Sequence, residues 1–237
     1  HSHADVDGIL FTSNADAQGE SDRLVKYCTE NGVQLLVAPP IDEIGGRTAR
    51  TSVHEIKIED LLGRDEIKIS MKEIRDNFCG KTVMVTGAAG SIGSELCRQL
   101  ATFGVKELVL FDNAETPMHN FRLELEDRFP DLKFTPVIGD VRLPERLDYV
   151  FRKYHPQVVF HAAAYKHVPL MEKNCIEAVG NNVFGTLNVI ELCEEYGVGH
   201  FMMVSTDKAV NPTNIMGATK RMCEIIARAH SAQKGNK

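Results

Sequence analysis

Two groups of residues in this sequence have types and spacings that can do chemistry. The first is Gly87-x-x-Gly90-x-x-Gly93, with Ser91 and Ile92 between its last two glycines. It stands directly after the apolar run Val83-Met84-Val85 and before a segment in which Ile92, Leu96, Leu100 and Phe103 recur at helical spacing. A glycine turn between a buried strand and a helix permits positive φ and close backbone approach. The helix then offers free N–H groups and a partial positive charge, which suit a pyrophosphate. Asp112 ends the next apolar run roughly 20 residues past the last glycine, where a carboxylate would grip a dinucleotide's ribose hydroxyls. That carboxylate repels a 2′-phosphate, so NAD is expected over NADP, and the neighbouring Asn113 does not alter this.

The second group is Ser205-Thr206-Asp207-Lys208, followed by Met216 and Lys220. Asp207 and Lys208 are adjacent at a strand end, so an acid and an amine could face one pocket. Proximity favours both charged forms and burial opposes them. Read in isolation, such a pair is more often a solvated ion pair. Met216 and Lys220 share a helix face. Two further loops follow strands on the same sheet edge. Asp140-Val141 could hold an adenine amino group and its apolar face, or Asp140 could cap a helix. The small residues Ala162, Ala163 and Ala164 would let a cofactor lie near the backbone, or simply pack tightly. His161 before them reads as a packed, hydrogen-bonded residue and not as a base.

These loops need a scaffold, and the pattern supplies one. Strand-like runs at 82–86, 107–112, 133–138, 158–160 and 200–205 alternate with helical patterns at 91–103, 117–129, 143–154, 178–196 and 215–230. Such alternation implies an α/β fold: a doubly wound parallel sheet of Rossmann type with helices on both faces. Ligands on it bind beyond the carboxyl ends of the strands. Upstream, strands at 9–13 and 33–38 flank a helix at 21–32 and form one parallel unit, too small for a complete domain. The expected organisation is a partial N-terminal nucleotide-binding-like α/β domain with its linker over 1–64, then the dinucleotide-binding domain over 65–237. The segment 65–80 connects them and includes an amphipathic stretch.

Composition narrows the function classes. At 237 residues the chain can bury a sizeable core. A formal charge of −6 argues against a nucleic-acid binder. The six cysteines include no Cys-x-x-Cys pair, so reduced thiols in a cytosolic setting are expected. No histidine spacing suggests a metal site. No apolar run is long enough for a membrane helix. His1-Ser2-His3 is set aside as a frayed end or tag remnant.

Together, Gly87-x-x-Gly90-x-x-Gly93, Asp112, Asp140-Val141, the stretch from His161 to Pro169 and the Thr206–Lys220 loop resemble the extended short-chain dehydrogenase/reductases. Within them they resemble bacterial nucleotide-sugar 4,6-dehydratases of polysaccharide and glycan biosynthesis. The similar branch acts on UDP-N-acetylglucosamine and carries membrane segments upstream. The resemblance covers 81–237 and, more loosely, 9–64. It implies a cycle in which hydride leaves sugar C4 for NAD, a base takes the C5 proton, water leaves from C6, and hydride returns to C6. It implies Lys208 as the C5 base and Asp207 as the acid for the leaving hydroxyl. Thr206 would hydrogen-bond the sugar at C4, and Lys220 would bind the nicotinamide ribose. Lys166, His167 and Glu172 could reach a sugar diphosphate, or lie on the surface of a short helix. Arg142, beside Asp140, could touch adenosine or be solvated, and Asn182 stands where the family often has a structural asparagine.

Met216 stands where the superfamily has a tyrosine, and a thioether cannot take a proton from the C4 hydroxyl. The membrane-linked branch also carries methionine there, so Asp207 or an ordered water is the candidate base. Exposed sheet edges invite pairing with another copy, so a homo-oligomer is expected. The resemblance further implies a parent protein anchored in the inner membrane with this part on the cytoplasmic face, and a C-terminal sugar-binding part beyond this chain. The other readings are a nucleotide-sugar epimerase or 4-reductase, and an NAD-binding module without catalysis.

Overall fold

The computed structural model describes residues 71–233 together with three short strands, β1 (Gly8–Phe11), β2 (Gln34–Val37) and β3 (His54–Glu55). The chain divides into two compact units, His1–Ile69 and Ser70–Lys237. In the first, β1 pairs parallel with β2, as the spacing of the two runs predicts, and β3 pairs antiparallel with β2. A two-residue strand carries no period, and the sequence does not signal it. The helix expected over 21–32 lies outside the described residues.

The second unit begins with α1 (Met71–Phe78). It then alternates β4 (Thr82–Thr86), α2 (Ser91–Ala101), β5 (Glu107–Asp112), α3 (Glu115–Arg128), β6 (Phe134–Ile138), α4 (Pro144–Tyr154) and β7 (Val158–His161). A short helix α5 (Val168–Lys173) follows, then α6 (Cys175–Ala178), a π-helical turn (Val179–Phe184), α7 (Gly185–Glu195), β8 (His200–Met203) and α8 (Ile215–Gln233). The five strands are all parallel in the order β6-β5-β4-β7-β8.

The pleat decides which side chains face which layer. Val83, Val85, Leu108, Leu110 and Val158 face α2 and α3, meeting Cys97, Leu100, Met118, Phe121 and Leu125. Met84, Val109, Phe111 and Val159 face the other way, onto Leu147, Val150 and Phe151 of α4 and Val189, Leu192 and Cys193 of α7. Helices therefore cover both faces.

Three expectations need correction. Ile92 is not on the buried face of α2: it is 54% exposed, and Gly93, Ser94, Cys97 and Leu100 face inward. Gly93 abuts the turn, which rolls the helix so that its neighbour, about 100° away, points outward. The helix expected as one piece over 178–196 is interrupted by the π turn, which lets the consecutive Asn181 and Asn182 both be buried. The fifth strand stops at Met203, because Ser205 turns out to hydrogen-bond Glu224 at 2.6 Å and Thr206 starts a 3₁₀ turn.

Candidate active site

The glycine turn is built by contact as much as by conformation. Gly87 has φ +68°, and a Cβ there would stand 2.5 Å from the Ala163 nitrogen. A Cβ on Gly93 would stand 2.0 Å from the Gly87 carbonyl oxygen. Only hydrogen fits at either place, so β4, the start of α2 and the loop after β7 close on one another. Gly90 caps α2 without a side-chain bond, and no acid occupies the first turn of the helix. An anion at these free N–H groups would meet no competing carboxylate.

Asp112 sits beside this turn and holds it. Its Oδ2 accepts from the Ala89 N–H at 2.9 Å and its Oδ1 from the Ala114 N–H at 2.9 Å. A cavity of about 280 Å³ opens here. It is lined by Gly87, Ala89 and Gly90, by Asp112 and Asn113, by Val141, and by Ala162, Ala163, Ala164, Tyr165 and Asn181. The chemistry of that lining fits a dinucleotide: backbone N–H groups for phosphate, a carboxylate for ribose, and an apolar wall for a base. Ser91, Ile92 and Gly93 belong to the adjoining first turn of α2 and not to the wall, and Gly93 is buried under Gly87.

Asp140 is also absent from the wall. Its carboxylate takes Arg142 through Nε and Nη2, the latter at 2.7 Å, while Arg142 Nη1 reaches Glu177 at 2.7 Å. The Arg142 guanidinium holds the Asp140 carboxyl below its ordinary range. Asp140 is therefore not the cap of α4, whose N-cap is Leu143. Arg142 is committed to these two acids.

A buried chain of polar groups ties the turn to the π segment. His161 is fully buried. Its Nδ1 lies 2.6 Å from Thr86 Oγ1 and its Nε2 2.9 Å from Thr186 Oγ1. The Thr186 hydroxyl donates to the Asn182 carbonyl at 2.5 Å, so it accepts from Nε2–H, and Nδ1 accepts from Thr86. Burial pushes the imidazole down to about 3, so the ring is neutral, with both of its nitrogens engaged by hydroxyls. Asn182 anchors the loop after β7. Its Oδ1 accepts from the Tyr165 N–H at 2.8 Å, and its Nδ2 donates to the Tyr165 carbonyl at 3.0 Å and to Thr219 Oγ1 at 2.9 Å.

The second chemical group lies two strands along the same edge. Asp207 and Lys208 form an exposed 3₁₀ turn (Asp207–Ala209) after β8. Asp207 Oδ1 accepts from the Thr206 hydroxyl at 2.9 Å and from the Lys208 N–H at 2.9 Å. The Thr206 bond first, then the Lys208 backbone, hold this carboxyl below its ordinary range. It is ionised here, contrary to an acid poised to donate. Met216 and Lys220 are buried, at 4% and 6% exposure. Met216 packs with Met171, Ala178 and Tyr165, and burial lowers the Lys220 amine. Lys166 and His167 are exposed and outside the cavity wall. Glu172 is not free for a substrate: its Oε1 accepts from the Ile215 N–H at 2.7 Å and closes the start of α8.

The sequence reading missed Tyr165 and Asn181 in the cavity wall, since neither belongs to a motif, and did not foresee that Arg142 pairs with Asp140 and Glu177. A carboxylate two residues before it was the available signal. Among the described residues no metal-binding cluster occurs, and no helix is long and apolar enough to cross a membrane.

Residues 83–237 match the family model described as polysaccharide biosynthesis protein. The chain is 47% identical over 206 residues to the Bacillus subtilis (strain 168) protein named probable polysaccharide biosynthesis protein EpsC, covering 86% of this chain and 34% of that one. It is 36% identical over 161 residues to a Campylobacter jejuni UDP-N-acetylglucosamine 4,6-dehydratase (inverting), covering 68% and 46%. A Rickettsia rickettsii UDP-glucose 4-epimerase is as similar, 36% over 163 residues, covering 67% and 46%. Among solved structures, DesIV (dTDP-glucose 4,6-dehydratase) from Streptomyces venezuelae, with NAD and TYD bound, matches at a TM-score of 0.57 and 25% identity, over 65% of this chain and 52% of that one. The chain spans about a third to a half of the curated relatives described here. With a parallel five-stranded sheet, a glycine turn closed on itself and a match over most of its length, the chain belongs to the polysaccharide biosynthesis protein family of extended short-chain dehydrogenase/reductases.

Proposed function

We propose that the protein is a nucleotide-sugar 4,6-dehydratase that holds NAD and acts on UDP-N-acetylglucosamine. One observation carries the reading. The Thr206-Asp207-Lys208 turn stands on the same sheet edge as the cavity at Asp112 and the glycine turn, and α8, which carries the buried Lys220, touches both that turn and the π segment whose Asn181 lines the cavity. NAD, when bound, supplies reversible hydride acceptance from the sugar. Ser91 and Ile92 would present backbone N–H groups to its pyrophosphate, and Gly87 and Gly90 would let it lie close to the turn, whose own Gly90 N–H donates to the Gly87 carbonyl at 3.1 Å. Asp112 would take its adenosine ribose, and Lys220 its nicotinamide ribose.

Lys208 is the base that takes the C5 proton once C4 is a ketone. The proton on C5 is acidified by that carbonyl, so an amine suffices. Asp207, ionised at the start, takes the O4 proton as hydride leaves C4, and gives that proton to the C6 hydroxyl as it leaves as water. Its carboxyl is ionised while Thr206 donates to it. A sugar whose O4 takes over the Thr206 hydroxyl would remove the largest influence that keeps Asp207 acidic, and raise its proton affinity at the moment an acid is needed.

A 4-epimerase draws support from the equally similar Rickettsia relative. Met216 speaks against it, because a thioether cannot take the sugar hydroxyl proton that a tyrosine at this position would take. Incubation of the NAD-loaded intact protein with UDP-N-acetylglucosamine, followed by NMR of the sugar, separates the readings. A 4-keto-6-deoxy product is expected. A C4 epimer, or unchanged substrate beside retained NAD, refutes dehydration.

A further inference from the structure

We propose that Gly217 is a positioning residue for Lys208, its missing side chain setting how closely the Lys208 turn lies against the first turn of α8. The proposal rests on the dehydratase reading for what Lys208 does, but its geometry stands independently. A Cβ on Gly217 would lie 2.3 Å from the Lys208 carbonyl oxygen and 3.2 Å from its carbonyl carbon. The φ of Gly217 is not in the left-handed region, so the backbone conformation makes no demand for glycine. Proximity alone makes it.

Two elements meet at this contact, and they are unequally held. On the helix side, the Gly217 N–H donates to Asn214 Oδ1 at 2.8 Å, and the Ile215 N–H donates to Glu172 at 2.7 Å. Met216 is packed against Met171 and Ala178, and Thr219 accepts from Asn182. On the other side, Asp207 and Lys208 are exposed, and the turn is anchored at its ends, by the buried Ala209 and by Ser205 bonded to Glu224. Short local bonds hold their turn, from Ala209 N–H to Thr206 O at 3.1 Å and from Val210 N–H to Asp207 O at 2.9 Å. A methyl group at 217 therefore displaces the Lys208 turn and leaves α8 in place. Ordinary contact begins at 3.4 Å, so the shift is about 1 Å. A displacement of that size at a reacting group lowers a rate about 100-fold. The cavity at the glycine turn includes neither residue, so cofactor binding is untouched.

The test is Gly217→Ala in the intact, NAD-loaded protein, alone and combined with Lys208→Ala. The expected result is retained NAD, KM for UDP-N-acetylglucosamine nearly unchanged, and kcat down about 100-fold. Exchange of the sugar C5 hydrogen with solvent deuterium should fall in step. The double variant should be no slower than Lys208→Ala alone, because both changes act through one amine. A crystal structure of Gly217→Ala should show the Lys208 carbonyl moved by about 1 Å with α8 unmoved. Activity within about threefold of the parent, multiplying losses in the double variant, or lost NAD binding or cooperative unfolding would each overturn the proposal. If the parent protein does not dehydrate the sugar, the function reading fails. The crystallographic arm then still decides the placement of Lys208.

Discussion

Asn182→Ala removes the clamp between the loop after β7 and α8, and its cost can be worked from the bonds it breaks. The side chain, 1% exposed, satisfies both backbone groups of Tyr165, bonds the hydroxyl of Thr219 and accepts from the Asn181 side-chain amide. Alanine leaves the Tyr165 N–H and C=O without these partners. Each orphaned buried group costs about 1–3 kcal/mol. Tyr165 is half-buried, so water relieves part of this and the total is about 2–4 kcal/mol. In a unit of this size each kcal/mol moves Tm by about 2–4 °C, giving a fall of roughly 4–16 °C. Calorimetry measures the total, and amide hydrogen exchange locates it: the Tyr165 amide should lose protection while those of β4 and β5 keep theirs. NAD affinity should fall as well, because Ala164 and Tyr165 form part of the cavity wall. A Tm within about 2 °C of the parent, or a Tyr165 amide that exchanges as slowly as before, would refute the assignment of Asn182 as a clamp.

Further outcomes follow from other sites. His161 is held neutral with its value near 3 against an ordinary 6.5. Its stabilisation is complete above pH 6.5 and is lost as pH falls toward 3, and denaturation of His161→Gln across this window should show a shallower acid slope. Glu124, paired with Arg98 at 2.7 Å, is lowered from 4.5 to about 2. Its share of stability is present above pH 4.5 and disappears toward pH 2, so Glu124→Gln should differ from the parent at neutral pH and converge with it in acid. Gly93→Ala forces a methyl to 2.0 Å from the Gly87 carbonyl and should abolish NAD binding by calorimetric titration. Lys208→Ala should reduce dehydration by about 10²–10⁴-fold in a product assay with NAD still bound.

The scaffold was legible because its strands are short apolar runs buried on both faces and its helices carry a separate period. Val83–Val85 and Glu107–Phe111 announce β4 and β5 without ambiguity. The glycine turn and Asp112 were legible for the same reason: each has a local requirement that few residue types meet. What the sequence hid depends on distant partners. Nothing near Glu172 says that it closes a helix 43 residues away. Nothing near Asn182 announces a π turn, which arises from its bonds to Tyr165 and Thr219. Ile92 was misplaced because helical periodicity fixes a stripe but not how the helix is rolled, and here Gly93 set the roll. The protonation of Asp207 was equally invisible, since the Thr206 hydroxyl decides it.

The double hold of Asp112 on Ala89 and Ala114 has a consequence for any attempt to redesign cofactor choice. The same carboxylate that would discriminate between the two nicotinamide dinucleotides also braces the bend that receives their phosphates. Exchanging it for a small neutral residue, to admit the phosphorylated form, would slacken that bend for either ligand. Preference in this protein is therefore better rewritten from the outer wall, by adding a cation near Asn113 or Pro117, than by deleting the acid.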